Sequence, residues 1–348
     1  MKKWIALLLT FICLLASSAV SEAYDATAVA NPSERQLKEL YQTLTELLPG
    51  TRVNLHGVRL QLKEMTRMRQ TFPELVFDWD VAYRDMNIPG NTRVLDLDSL
   101  TQKRIGAESL RQLLVCLPET ERVIMYDQRL SVREMETLME AFPDVRFDWS
   151  VQLGKKYAIR TDATAFSTLK GRQAPRYTVR DVDVLKYCPD LLALDLGHQC
   201  IDDLGFLRQW PHMKVLIVID SQKPVTDITP LADLPELEYV ELFMQKITDL
   251  TPLAGHTHLL DLNLCHNDIT DLTPLYSCTN LQRLWISYNR HLSMEQIEAF
   301  RKAVPGCQVE YEVYGSTDAG WRKHDRYFVM KESFETRTYR PFADSITE

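Results

Sequence analysis

The side chains best suited to chemistry are histidines, cysteines and a series of aspartates, and their spacing decides what they can do. His256, His258, Cys265 and His266 crowd one short stretch, a density that would suit a zinc site. His256 and His258, however, precede an alternating apolar run, and Cys265 and His266 follow it. Seven extended residues from His258 to Cys265 span roughly 23 Å, whereas zinc draws its ligands to within about 2.3 Å of one point. They cannot share an ion. His198 and His266 occupy matching positions of a repeated pattern, but three turns, roughly 14 Å, separate them, too far for a general acid–base pair. Asp78, Asp80, Asp96, Asp98 and Asp148 form an acidic series with nothing to fix a convergent pair. Solvated surface carboxylates account for it better than a calcium or glycosidase site does. No G-x-S-x-G, H-E-x-x-H or P-loop pattern occurs. The expectation is a chain with no catalytic residue, no cofactor and no metal.

What must position any functional side chain is a repeat. Leu259-Leu260-Asp261-Leu262-Asn263-Leu264-Cys265-His266-Asn267-Asp268-Ile269-Thr270-Asp271-Leu272-Thr273-Pro274-Leu275 is its cleanest copy, with further copies starting at Leu191, Met213, Leu237 and Leu281. The step from Leu237 to Leu259 recurs from Leu259 to Leu281 and from Leu191 to Met213. Between Met213 and Leu237 it is lengthened by an insertion near Gln222-Lys223. A fixed period in this range is the signature of a solenoid. Val240 and Leu242, Leu262 and Leu264, and Leu284 and Ile286 alternate with other residues, so each copy carries a short strand with one buried face. Stacked copies would pair these strands in parallel at roughly 4.8 Å per turn. Thr251-Pro252 and Thr273-Pro274 read as an N-cap followed by a proline at the first helical position. Gln199, Ser221, Gln245, Asn267 and Asn289 share one column, where an amide or hydroxyl can satisfy backbone groups of the neighbouring turn.

The pattern L-x-x-L-x-L-x-x-N-x-I-x-D-L-x-P-L resembles the leucine-rich repeat, and its I-x-D-L-x-P-L half resembles the internalin-type variant of secreted bacterial proteins. The resemblance covers residues 191–292 and reaches 33–190 by extension. It implies an α/β leucine-rich-repeat solenoid that binds a macromolecule. Such a solenoid has a curved parallel sheet, helices and short turns on the convex side, and a cap at each end. The chain departs from internalins in showing no wall-sorting signal, no immunoglobulin-like strand pattern and no matching N-terminal cap, so host-cell binding is not carried over.

On the inner face of such a stack, solvent positions should be mostly polar. The columns instead run Asp195, Ile217, Glu241, Asn263, Trp285, then Gly197, Ile219, Phe243, Cys265, Ser287, then His198, Asp220, Met244, His266, Tyr288. Ile217, Ile219, Phe243, Met244, His266, Trp285 and Tyr288, with Tyr239 beside them, are therefore the candidate partner-binding residues, since exposed aromatic and Met clusters mark interaction surfaces. Two readings compete. Either a partner covers this face, or the inserted hairpins or the C-terminal tail fold over it. For a partner, a protein is the first reading, and a cell-envelope or dietary glycan stacking on Phe243, Trp285 and Tyr288 is the second. An enzyme is the third.

Outside the regular copies, Met65, Phe72, Pro73, Phe77, Asp78 and Trp79 recur with the same spacing as Met135, Phe142, Pro143, Phe147, Asp148 and Trp149. Each long unit reads helix, strand, helix, strand, hairpin. Leu75, Phe77, Trp79 and Val81 alternate as one strand, as do Val145, Phe147, Trp149 and Val151. Ser33 with Gln36 and Ser131 with Glu134 suit capping boxes, a further helix is expected over 178–187, and Gln308 to Val313 is expected as the last strand. The tail with Trp321, Tyr327, Met330 and Phe334 reads as a cover for the exposed end of the stack; the alternative makes Arg322-Lys323-His324-Asp325-Arg326 a basic contact site.

Residues 1–23 combine Lys2-Lys3, an apolar core from Trp4 to Ala16 and a small-x-small site at Ser21-Glu22-Ala23, as a secretory signal does. The expected organisation is a signal peptide at 1–23, a linker and capping helix at 24–50, long irregular repeats at 51–190, regular repeats at 191–292, and a terminal repeat with cap at 293–348. The mature chain is expected to be secreted. The whole sequence has 40 basic and 48 acidic residues, and losing the signal removes only Lys2, Lys3 and Glu22 from them. The acidic balance that remains argues against nucleic acid or an anionic membrane as partner. Six cysteines remain. Cys188 and Cys278 hold one repeat position four turns apart, roughly 19 Å, beyond the about 7 Å a disulfide tolerates between Cα atoms. Only Cys278 with Cys307 is conceivable, and small buried thiols are the better reading.

Overall fold

The structure, a computed structural model, describes residues 23–28, 30–168, 176–313 and 320–342. All but the last residue of the signal-like segment lies outside them. The chain divides into two compact units, one ending at Trp149 and one starting at Ser150.

The first unit holds β1 (Ala23–Asp25), α1 (Glu34–Thr45), β2 (Arg52–Asn54), α2 (Leu62–Thr71), β3 (Val76–Asp78), the hairpin β4 (Asp80–Tyr83) and β5 (Met86–Pro89), β6 (Val94–Asp96), α3 (Leu97–Leu100), α4 (Ala107–Cys116), β7 (Arg122–Ile124), α5 (Val132–Ala141) and β8 (Arg146–Asp148). Both capping boxes form, Ser33 with Gln36 on α1 and Ser131 with Glu134 on α5. Strands β1-β2-β3 and β6-β7-β8 make two separate parallel sheets, with Val53 opposite Phe77 and Val123 opposite Phe147. The equal steps from Val53 to Phe77 and from Val123 to Phe147 in the sequence thus give the observed register. The long alternating strand expected over Leu75–Val81 is instead broken. β3 ends at Asp78 and β4 starts at Asp80, in a different sheet, with buried Trp79 at the corner donating its indole N–H to the Cys116 carbonyl (2.9 Å). The same break falls at Trp149.

In the second unit, the hairpin β9 (Ser150–Leu153) and β10 (Tyr157–Arg160) precedes β11 (Ala165–Ser167). After α6 (Val179–Val182) come β12 (Ala193–Asp195), β13 (Val215–Ile217), β14 (Tyr239–Glu241), β15 (Asp261–Asn263) and β16 (Arg283–Trp285). Then follow α7 (Met294–Ala303), β17 (Gln308–Glu310) and α8 (Asp325–Thr336). Strands β11 to β17 form one seven-stranded, wholly parallel sheet in chain order. It starts one turn before the regular copies, because β11 pairs with β12, and β17 stops at Glu310, short of the expected Val313. The helix expected over 178–187 is one α turn continued as a 3₁₀ helix, Asp183–Tyr187.

Each regular turn returns through a 3₁₀ helix, and the threonine of the Thr-Pro pair is not its N-cap. Thr229, Thr251 and Thr273 open the helix proper, and the backbone N–H of each donates to the aspartate two residues earlier, Asp227, Asp249 or Asp271, at 2.8 Å. The aspartate, with its short acceptor, makes the Asx turn that sets the helix direction. The amide column does what its chemistry allows. Asn267 accepts from Ile247 N–H (3.0 Å) and donates to the carbonyls of Leu242 (2.9 Å) and Leu264 (3.0 Å); Asn289 repeats this with Ile269, Leu264 and Ile286. His256 and Cys278 share another column, in which one side-chain atom of each meets a carbonyl of the preceding turn: His256 Nε2 with Leu231 O (3.0 Å) and Cys278 Sγ with Leu253 O (3.3 Å).

All six cysteines of the described residues are free. Burial pushes the Cys116, Cys265 and Cys278 thiols up to about 11 and Cys188 to about 12, so none of these four is a ready nucleophile. Thiol titration of denatured, unreduced protein is expected to count at least four free cysteines among the six. Two or more protected pairs would contradict the one-strand-per-turn stacking.

Candidate functional site

The strand face of the seven-stranded sheet is not open. All three residues of each strand from β12 to β16 are buried, on the core side by the stack and on the other side by the chain's own C-terminal segment. Ile217, Ile219, Tyr239 and Trp285, four of the residues expected to meet a partner, are at most 4% exposed. Trp321 fills the space above them, its ring centroid 5.5 Å from both Tyr239 and Trp285, and Met330 of α8 and Phe342 complete the layer. The reason is area: an apolar sheet face of this size gains more from a covering helix of its own chain than from water. The tail therefore covers the strand face, where an end cap was expected.

Electrostatics locks the cover down. Fully buried Asp261 on β15 accepts from Arg283 Nε on β16 (2.6 Å) and twice from Arg326 of α8, through Nε (2.6 Å) and Nη2 (2.9 Å). Arg326 also donates to the Gln282 side chain (2.8 Å), and the Arg283 guanidinium lies 4.3 Å from the centre of the Trp321 ring. One strand over, Glu241 accepts from the Tyr239 hydroxyl (2.5 Å) and faces Arg322 at 3.7 Å. Two strands further, buried Asp195 accepts from the Gly197 N–H (2.8 Å) and the Ser167 hydroxyl (2.7 Å), both neutral donors. Arg322 and Arg326, read from sequence as an alternative basic contact site, are thus spent inside the chain.

Burial pushes the Asp195 carboxyl up to about 6; Glu241 adds to this, while the Gly197 and Ser167 donors and Arg322 oppose it. Its folded value lies above its unfolded one of 3.8, so folding favours the protonated form. Stability from this group is gained as pH falls through about 6 towards 4, and the buried carboxylate is a liability above 7. Asp195→Asn is expected to raise stability at pH 7.5 by on the order of 1–3 kcal/mol and to flatten the rise between pH 7 and pH 5, read by urea unfolding at the two pH values. A destabilised variant at pH 7.5 would contradict this.

What stays open is the rim at the C-terminal ends of the strands. His198, Asp220, Met244, His266 and Tyr288 occupy one position in five successive turns, and all have left-handed backbone, with φ between 47° and 62°. Their N–H groups explain it. Each of the first four donates to a carbonyl of the next turn, such as Met244 to Cys265 (3.0 Å) and His266 to Ser287 (2.9 Å), and only a left-handed residue can turn the chain there without losing that bond. Glycine or asparagine would suit this conformation best; methionine and tyrosine are unusual in it. Met244 is 43% and Tyr288 40% exposed, and Phe243 and His266 are half-buried. His266 stacks on Tyr288 (centroids 4.2 Å apart, planes 13° apart) and takes the edge of Phe243 at 5.2 Å. Burial, aided by Arg290, lowers the His266 pKa, so the ring stacks in its neutral form. Of the eight expected partner residues, these four alone reach solvent.

The acidic series dissolves into separate structural roles. His56 bridges Asp78 (2.9 Å) and Asp80 (3.3 Å), Asp96 caps α3, Asp98 accepts from Tyr126 N–H (2.6 Å), and buried Asp148 meets Arg122 and Arg146. Among the described residues no group of His, Cys, Asp or Glu is placed to hold a metal ion, and no helix is long and apolar enough to cross a membrane.

The stacked parallel strands, one per turn, with an amide ladder and 3₁₀ returns define a leucine-rich-repeat solenoid, and residues 257–302 match the family model of leucine-rich repeats (two copies). Solved structures similar to this chain include internalin C2 from Listeria monocytogenes, at 24% identity over 44% of this chain and 74% of that one, with a TM-score of 0.32. A second Listeria monocytogenes internalin is 14% identical, covers 81% of this chain and 89% of its own, and has a TM-score of 0.34. A leucine-rich-repeat protein of Leptospira interrogans is 18% identical, covers 75% and 64%, and has a TM-score of 0.34. No curated protein matches.

Proposed function

We propose that this chain is an exported, non-enzymatic binding module whose partner is a protein, engaged through the open rim rather than the covered strand face. The observation that carries the reading is the strip Phe243, Met244, His266 and Tyr288. Its last three members are bulky residues held, at a cost in backbone strain, where a solenoid turn would accept glycine or asparagine. Strained, exposed positions of this kind are a reason to look for function. A preformed aromatic stack beside a flexible methionine suits a protein hot spot, where rigid rings anchor and methionine adapts. Export rests on the signal-like residues 1–23. The acidic balance disfavours nucleic acid as the partner.

The triple change of Phe243, Met244 and Tyr288 to alanine is expected to abolish capture of a protein by cross-linking in the native extracellular milieu. Met244 and Tyr288 are surface positions whose changes usually stay within about 0.5 kcal/mol each, whereas Phe243 packs on the core layer. The double change of Met244 and Tyr288 is therefore made beside the triple and should hold the melting temperature. A glycan array run beside the capture separates the sugar reading. Capture that survives the triple change, or a glycan signal that it abolishes, would overturn the protein reading.

A further inference from the structure

Under α8 the cover does not seal. A cavity of about 340 Å³ remains between the helix and the β11–β13 end of the sheet, within the range of small-molecule sites, about 300–1,000 Å³. Its polar floor is Asp195 with Ser167, and its walls include the rings of Tyr157, Phe166, Tyr327 and Phe334. Three arginines serve three buried acids here, but not one each. Arg283 and Arg326 both bind Asp261, Arg322 faces Glu241, and Asp195 is left with two neutral donors. Of the other cations lining the cavity, Lys331 pairs with Glu335, which lines it too (3.8 Å), and Arg337 donates to the Ala158 carbonyl. A buried carboxylate facing a small aromatic chamber, with no cation of its own among the described residues, is complementary to one ligand chemistry.

We propose that this cavity binds a primary organic ammonium with an aromatic body. The ammonium sits against the Asp195–Ser167 floor and compensates the carboxylate, and the rings of Tyr157, Phe166, Tyr327 and Phe334 take the body and add cation–π attraction. An anion would meet the Asp195 carboxylate at the floor, and a neutral isostere leaves that buried charge uncompensated. The site is separate from the rim, so either proposal can fail alone.

The test uses the full chain with ¹³C-methyl methionine, titrated with 2-phenylethylamine, 2-phenylethanol and phenylacetate. Met330 lines the cavity and Met244 lies on the rim, so the Met330 methyl signal, assigned through Met330→Leu, reports this site and Met244 serves as the control. Saturable movement of Met330 by the amine is expected, with the alcohol about tenfold weaker or worse and phenylacetate inactive. Asp195→Asn, verified as folded by its melt, should weaken the amine about tenfold or more. A still Met330 at millimolar amine, equal binding of the alcohol or the acid, or undiminished binding by folded Asp195→Asn would each overturn the proposal.

Discussion

Asp261→Ala is expected to lower stability by about 3–5 kcal/mol, because it strands two buried guanidiniums. Arg283 and Arg326 are each 8% exposed and spend three hydrogen bonds on that one carboxylate. Once it is gone, they must leave the interface or stay there charged and unpaired. Arg326 has the easier exit, since it belongs to the cover rather than the sheet, so the cover should loosen before the repeats unfold. Tryptophan fluorescence separates the two events. Trp321 and Trp285 are both buried in this layer, and their emission should shift red at a denaturant concentration that leaves far-UV dichroism unchanged. A single coincident transition with a loss below about 1 kcal/mol would mean that the carboxylate does not hold the cover. The size of the effect says little about the net worth of the triad, since an apolar replacement of all three partners is often neutral.

The repeat was legible because it is local and redundant. Five copies of the same apolar spacing place the strands, and the steps from Val53 to Phe77 and from Val123 to Phe147 give register across the irregular units as well. The corners at Trp79 and Trp149 were not legible. Alternation of apolar residues continues through them, so period alone cannot show that the chain leaves one sheet for another. The Asx turns before each 3₁₀ helix compete with an equally reasonable Thr-Pro cap, and only the N–H direction decides.

The site was half legible, for a different reason. A column of apolar residues on a strand face shows that something covers it, but the pattern is the same whether the cover is a partner or the chain's own tail. A signal was present. Asp195, Glu241 and Asp261 place acids at three sheet positions, and the tail supplies Arg322 and Arg326. Matched opposite charges far apart in sequence favour self-coverage, whereas a partner surface needs no such match. The rim residues were found by type, and their left-handed backbone, which gives the reading its physical argument, is invisible in sequence for anything but glycine.

Leu262→Ala tests the solenoid itself and is expected to cost about 2–5 kcal/mol. Leu262 is fully buried and sits between Val240 and Leu284 in the strand register, so the lost methyl groups leave a cavity that both neighbouring turns line. A turn of a solenoid is stabilised mainly by its neighbours, and β15 stands near the middle of the sheet. The damage should therefore spread along the stack. Hydrogen exchange is expected to quicken at Val240 and Leu284 as well as at position 262, while the sheet β6-β7-β8 of the first unit keeps its protection. The contrast with Asn267→Ala sharpens the test. That change removes little volume but orphans the Ile247 N–H and the Leu242 carbonyl, while the Leu264 carbonyl keeps its bond from Asn289, at about 1–3 kcal/mol for an unsatisfied buried group. If Leu262→Ala costs under about 1 kcal/mol, far below the usual price of such a cavity, or its exchange is raised at position 262 alone, the turns do not share one core and the stacking of strands is not what holds this half of the chain together.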